Sequence, residues 1–468
     1  MKHIINENNR ERTYIITVLL IYLSYTIFHI LKYPVYIDEA STYNDYTSES
    51  LYTIISTYNE PNNHVFFSII TKLFSFLPLD ILVNLRLPNL LIGGATSFLT
   101  FVTLRKLVSF KATILPHVFL TFSYSVIFYS TFARGYMLVI FFSILCFYAI
   151  LKMKEDFNNK SLILYSTATI LGFYTIPIFL YVSLSLTIFL FLFFFKEKRK
   201  LISLVKFYFL IGLGVVTLYL PIFVNAGVDA VINNKWTKSL EFGEIISEFK
   251  NGSVFGIYDK LIGINSLIII IVFLLVMSFL YFRIEDIKKR KIIIYIVLTF
   301  LLPFVFILSQ RVIPGTRTWS YLIFPFTIGL AIIVEYIFSN YRINKLLVLL
   351  AIPFFILSQV YIFEKSHPNA GMEYDYRTTQ LSNKLFDNNY STYYFESEPL
   401  SFEEVVLKFV YNKNKKQFHY YNLSSQESID WNSIECYIVP RNSELVSSKK
   451  LNNRKLLFKD GQISVYGK

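Results

Sequence analysis

Two adjacent carboxylates, Asp38 and Glu39, follow the first apolar stretch of the sequence within a few residues. A carboxylate held where an apolar medium begins has its pKa raised toward working pH, which suits a general base. A solvated pair capping a helix is the other reading of the same two residues. Further along, Asn63-His64 open a second apolar stretch, and Arg86-Leu87-Pro88 stand in the opening turn of a third. A lone histidine is more often structural than catalytic, and Arg86 is placed to snorkel toward water. Arg134 lies in Ala133-Arg134-Gly135-Tyr136-Met137-Leu138, between two apolar runs with almost no loop to carry it away. A guanidinium there is expensive unless it faces a polar cavity. Gln310-Arg311 and Thr316-Arg317-Thr318-Trp319-Ser320-Tyr321 add two more cations, as interfacial anchors or as members of the same polar group. Carboxylates, an imidazole and several guanidiniums on one face suit displacement of a phosphate leaving group, because the guanidinium fork matches phosphate oxygens.

These residues are set in a chain that is mostly apolar. Of its 468 residues, 54% are hydrophobic and 16% charged, against about a quarter charged in ordinary soluble domains. Mean hydropathy is +0.48. The 47 Phe and 35 Tyr suit lipid-facing helices and their interfacial belts. The net charge of +13 falls mainly in short loops between apolar runs, which favours membrane orientation over nucleic-acid binding. Cys146 lies within an apolar run and Cys436 far from it, so neither reads as redox or metal chemistry.

A spanning helix needs about 20 apolar residues. Eleven stretches are candidates: Tyr14–Leu31, Leu85–Leu104, Ala112–Ser130, Ala133–Leu151, Leu162–Ile178, Phe179–Phe195, Leu201–Phe223, Leu261–Phe282, Ile292–Leu308, Thr318–Phe338 and Leu346–Phe363. With eleven spans, every basic cluster (Arg10/Arg12, Arg105/Lys106/Lys111, Lys152/Lys154, Lys196–Lys200, Arg283/Lys288–Lys291 and Arg342/Lys345) falls on one side. That side is then cytoplasmic. The first span, with no small-residue cleavage site after it, reads as an uncleaved anchor.

The expected fold is therefore an all-α polytopic membrane protein of about 11 transmembrane helices with a small C-terminal α+β domain. Residues 1–363 form the transmembrane domain, with outer loops 32–84, 225–260 and 310–317. Residues 364–468 form the extracytoplasmic domain. In that polar tail, Tyr390–Phe395, Phe418–Asn422, Cys436–Val439 and Ile463–Tyr466 alternate as strands do, and Phe402–Tyr411 has helical spacing.

The ordered motifs resemble the integral-membrane glycosyltransferases of the GT-C class, in particular the protein-O-mannosyltransferase, ArnT-like and RgtA/B/C/D-like families. The matching features are Asp38-Glu39 after the first span, Asn62-Asn63-His64-Val65-Phe66-Phe67, Arg86-Leu87-Pro88, and Ala133-Arg134-Gly135-Tyr136 opening the fourth span. The resemblance covers roughly residues 10–360. It implies a polyprenyl-phosphate sugar donor used on the outer face of the cell (inner) membrane, with inversion at the sugar. In that scheme Asp38 is the base and Glu39 positions it or binds the acceptor. Arg134, His64, Arg311 and Arg317 are candidates for the donor phosphate, and Asn63 and Tyr136 for substrate positioning. The acceptor, whether lipid, glycan or protein, is left open. No cofactor or metal site is expected: the second outer loop, Ser130-Thr131-Phe132, lacks the carboxylate that many such enzymes carry there. No GxGxxG or Walker pattern occurs, as expected if no nucleotide is bound.

Three other functions compete. A secondary transporter would show midplane charges or broken helices in paired halves, a polysaccharide polymerase or ligase would centre on a large late outer loop, and a receptor would use the tail as a sensor. The topology is tested with reporters active only outside the cytoplasm. A fusion at Lys468 is expected to be active and one at Lys198 silent, and the reverse pattern would overturn the orientation.

Overall fold

The computed structural model describes residues 2–58, 62–232, 239–251, 254–255, 266–341, 352–362, 373–397, 401–424, 429–447, 451, 454–459 and 462–467. The expected boundary at 363/364 and much of the 225–260 loop lie outside these residues. The chain divides into two compact units. One comprises Met1–Leu31, Leu51–Leu79 and Val83–Ser366, and the other Lys32–Ser50, Asp80–Leu82 and His367–Lys468.

The first unit is a bundle of apolar helices. Six are long and apolar enough to cross a membrane: Asn9–Lys32, Ile81–Arg105, Tyr136–Glu155, Lys198–Asn225, Ile287–Gln310 and Thr316–Asn340. A helix pair bent by 45°, Phe110–Phe122 plus Tyr124–Thr131, passes the same test when its halves are taken together. Ser123 makes the break. Its hydroxyl donates to the Leu120 carbonyl at 2.9 Å and accepts from Val126 N–H at 3.4 Å, so it closes one helix and caps the next. The other four expected spans fall on shorter described helices: Asn159–Thr175, Phe179–Phe194, Ser266–Arg283 and Ile352–Ile362. The protein is thus a multi-pass membrane protein, with six or seven crossings meeting the length requirement among the described residues.

Among the described residues the basic clusters meet at one end of this bundle, while the expected Arg342/Lys345 cluster lies outside those residues. Arg105 pairs with Glu11 at 2.8 Å, and Lys106 with Glu155 at 2.9 Å. Ser109 bonds Glu335 at 2.6 Å, and Lys291 lies 5.4 Å from the Phe193 ring. The first long helix begins there and the helix Tyr136–Glu155 ends there, as the alternation of basic loops requires. Deeper in, Phe147 stacks on Phe189 at 5.1 Å and meets Tyr295 and Phe324 at 5.3 and 5.4 Å, so four helices share one aromatic centre.

The second unit is built on a mixed five-stranded sheet. Its strands are β1 (Thr392–Phe395), β2 (His419–Tyr421), β3 (Cys436–Pro440), β4 (Lys455–Lys459) and β5 (Ile463–Gly467), in the order β2-β1-β3-β5-β4. β1 runs parallel to β2 and β3, while β5 is antiparallel to both β3 and β4. The helix Phe402–Lys413 joins β1 to β2 as a crossover, as parallel strands require. On one face Tyr393, Phe395, Cys436, Ile438 and Val465 pack with Leu407 and Tyr411 of that helix and Leu381 and Leu385 of the helix Glu373–Asp387. On the other face Tyr394, Tyr437 and Val439 pack with Ile434 and Leu451.

Four of the five strands and the crossover helix fall where the sequence pattern puts them. β4 does not, because Lys-Leu-Leu-Phe-Lys lacks alternation and lies at the sheet edge, where no buried face imposes one.

Candidate functional site

In the helical unit, four of the expected residues converge at the start of the helix Tyr136–Glu155, the end opposite its Glu155 ion pair. The bent helix pair ends at Thr131, and residues 132–135 turn the chain back into that helix. Arg134 N–H donates to the Phe132 carbonyl at 2.8 Å within the turn. The amide of Asn89, on the helix Ile81–Arg105, donates to the carbonyls of Phe132 and Arg134, the latter at 2.8 Å, and so pins the turn from a second helix. Arg134 is 2% exposed, and its Nη1 donates to the Asn62 carbonyl at 2.8 Å.

Gly135 brings His64 against the same turn. Its backbone N–H donates to His64 Nδ1 at 2.8 Å. A Cβ on Gly135 would lie 2.7 Å from Thr175 Cγ2 and 3.0 Å from both His64 Cβ and Nδ1, so the contact depends on glycine. Because a backbone N–H can only donate, Nδ1 must be the bare nitrogen, and the proton of the neutral ring sits on Nε2. Nε2 faces Arg134 Nη2 at 3.4 Å. Both groups carry hydrogens, so they present two donors side by side, the arrangement an anionic oxygen can accept from. Burial holds the His64 pKa well below its usual value, with the Arg134 and Arg317 charges adding to the effect.

Tyr136 sets its ring edge against the imidazole at 5.1 Å, and the Arg317 guanidinium lies 6.0 Å from the centre of the Tyr136 ring. Tyr58, which no sequence signal singles out, is buried near Arg134 and Tyr136, and burial raises its hydroxyl pKa.

The remaining expected residues are placed as follows. Asn63 is buried beside this group. Its amide donates to the Ile54 and Thr57 carbonyls at 2.8 and 2.9 Å and accepts from the Ser68 hydroxyl at 3.0 Å, so it shapes the loop that carries Asn62 and His64. Arg311 is exposed in left-handed conformation, φ 55°, at the end of the helix Ile287–Gln310, and its carbonyl accepts from Leu240 N–H. It is not a member of the His64 group. Arg86 does not snorkel. It is fully buried and its Nη1 donates to the Ile30 carbonyl at 3.0 Å, satisfying an acceptor that the last turn of the first helix leaves open.

Asp38 and Glu39 belong to the second unit, on the short helix Ile37–Thr42. Glu39 is buried, and its carboxylate folds back to accept from Tyr36 N–H at 3.1 Å, which fixes the first turn. Asp38 is half-buried, and its carbonyl accepts from the Thr42 hydroxyl at 2.7 Å.

Among the described residues no three Asp, Glu, His or Cys side chains gather as metal ligands would. The donors around His64 suit an anion.

The fold has solved counterparts. Two solved structures of ArnT from Cupriavidus metallidurans share it. The structure bound to undecaprenyl phosphate is 11% identical with a TM-score of 0.60, and the match covers 97% of each chain. The apo structure is 10% identical with a TM-score of 0.57, covering 96% of this chain and 97% of the other. No family model matches the sequence, and no curated protein matches it.

The depressed His64 pKa carries a stability consequence with a definite sign. The unfolded ring titrates near 6.5 and the folded one well below, so below about pH 6.5 the unfolded chain holds a proton the folded chain lacks. The contribution is present above that pH and lost as pH falls, by up to about 1.4 kcal/mol per pH unit. In detergent melts at pH 7.5 and 5.5, the wild type is expected to lose more stability than His64→Gln. Equal losses would mean that the folded ring is already protonated.

Proposed function

We propose that the protein is a membrane glycosyltransferase that moves a hexosyl or pentosyl group from a polyprenyl-phosphate donor to an acceptor hydroxyl on the outer face of the membrane. The observation that carries this reading is the facing pair of donors, His64 Nε2–H and Arg134 Nη2, in a fold shared with a protein whose structure holds undecaprenyl phosphate. A phosphate oxygen placed between them accepts from both. Arg317, near the Tyr136 ring, adds positive charge. The start of a 20-residue helix favours an anion at the same place.

In the proposed reaction the Asp38 carboxylate takes the proton from the acceptor hydroxyl. The acceptor oxygen attacks the anomeric carbon from the face opposite the phosphate, and configuration inverts. The bond between that carbon and the phosphate oxygen breaks, and its electron pair leaves on the phosphate. Arg134, with His64 and Arg317, stabilises the charge that develops there. A neutral His64 contributes as a fixed N–H donor. Glu39 acts by holding the first turn that carries Asp38, and Asn63 by shaping the loop that carries His64. Tyr136 supports the imidazole and Arg317. The work is positioning and charge stabilisation, with a lipid-soluble leaving group that explains why the site is built among apolar helices.

The test uses purified protein in liposomes with radiolabelled undecaprenyl-phosphate hexoses and pentoses and a membrane lipid extract as acceptor. Sugar transfer is expected with at least one donor. Asp38→Asn is expected to lower it by roughly 10²–10⁴-fold while leaving the melting temperature near wild type. Arg134→Ala is expected to weaken undecaprenyl phosphate binding about 10- to 100-fold, since hydrogen bonds to charged groups contribute about 1.5–3 kcal/mol. Arg134→Lys is expected to recover little, because an ammonium lacks the planar fork. Collapsed stability with unchanged phosphate affinity in Arg134→Ala would make the arginine a scaffold residue, and uptake into vesicles without transfer would favour a transporter.

A further inference from the structure

The helix that carries Asp38 is six residues long, Ile37–Thr42. A helix of that length has no stability of its own and takes its position from what it is joined to. It runs without a break into five residues of π-helix, Tyr43–Thr47. That winding is rare, and where it occurs it is frequently at functional sites. Three consecutive residues of it reach one partner, the crossover helix Phe402–Lys413. The Tyr43 ring meets the Phe409 ring edge-on at 5.4 Å. Asp45 and Lys408 form an ion pair at 4.0 Å. Asn44, 4% exposed, donates through Nδ2 to the Val405 carbonyl at 3.0 Å, while its Oδ1 accepts from Asn412 Nδ2 at 3.1 Å. Both ends of one buried amide are thus tied to one helix, and Lys413 of that helix also pairs with Asp80 at 2.6 Å.

From this we infer that the C-terminal module is the positioning device for Asp38, acting through the Asn44–Asn412 amide pair. The inference rests on Asp38 being the base proposed above. From Ile37 to Thr47 the chain is one short rod, with the carboxylate in its first turn and the amide latch about 9 Å further along. The helix Phe402–Lys413 is rigid because its Leu407 and Tyr411 are packed into the sheet core. It therefore fixes the rotation and height of the rod. A general base must lie within about 2.6–3.2 Å of the proton it removes. A misplacement of about 1 Å can cost about 100-fold in rate. Asn44 and Asn412 are positioning residues in this scheme and touch no substrate.

The test uses the full chain in liposomes with the undecaprenyl-phosphate sugar that supports turnover, and compares wild type, Asn412→Ala, Asn412→Gln and Asp38→Asn. For Asn412→Ala, kcat is expected to fall about 10- to 100-fold with the donor KM within about 3-fold of wild type. Asn412→Gln, which keeps an amide donor, is expected to restore part of the loss. Hydrogen exchange of peptides spanning 37–47 is expected to accelerate at least about 10-fold in Asn412→Ala, while peptides from β1 and β3 keep their protection. The inference is overturned by unchanged kcat, by unchanged exchange over 37–47, by a KM that rises in step with the loss of kcat, or by protection lost across the whole sheet. Asp38→Asn separates the two levels. If it is inactive while Asn412→Ala is unaffected, the latch alone fails. If it turns over like wild type, the base assignment fails and takes the latch with it.

Discussion

The burial of one guanidinium organises the end of the helical unit where His64 lies. Arg134 sits almost out of contact with water, and the chain around it is arranged to tolerate its charge. Asn89 holds the turn that carries it, the Asn62 carbonyl takes one of its hydrogens, and a glycine follows it so that an imidazole can close over the turn. The same charge, together with burial, keeps that imidazole neutral, and the Gly135 N–H at Nδ1 leaves its proton on Nε2. Local geometry and protonation state are consequences of a single costly placement.

The two units divide the labour differently from the way the chain is ordered. Residues 32–50 follow the first long helix in sequence, yet they fold with the C-terminal module, some 360 residues further along at the Asn44 and Val405 contact. The loop between them and Asp80 returns to the helical unit. A single segment between two long helices therefore supplies material to both units, with the acidic pair on one and His64 on the other.

Much of this was legible before any coordinates. Apolar runs located the helices, since a period of about 20 apolar residues has no other common explanation. They could not settle which runs cross, because Phe179–Phe194 and Ser266–Arg283 are as apolar as the longer helices but shorter. Alternation located β1, β2, β3 and β5, where opposite faces of the strand meet different surroundings. The helix Glu373–Asp387 was missed because its polar residues outnumber its buried ones. At the site, residue type identified Arg134 and His64, since charged and imidazole side chains among apolar runs stand out. Type could not identify Asn62, Asn89 or Gly135. Asn62 and Gly135 act through backbone atoms, and Asn89 through an amide that looks like any other until the fold brings a turn beside it. Arg86 shows the converse error, in which the position suggested a solvent-seeking side chain and the fold gave it a helix end to satisfy.

The strand order of the C-terminal sheet has a bearing on how this module behaves among its own copies. Its most buried strands, β1 and β3, lie inside the sheet, while the margins are β2, three residues long, and β4, which begins and ends with lysine. Unpaired strand margins are templates for edge-to-edge association, and brevity and lysine are two ways natural sheets blunt them. Membrane proteins are confined to two dimensions, where neighbouring copies meet often and in similar orientation. A module with a long, uncharged margin would invite strand exchange between neighbours. This one offers a growing sheet little backbone on one side and a pair of like charges on the other, both of which disfavour strand exchange.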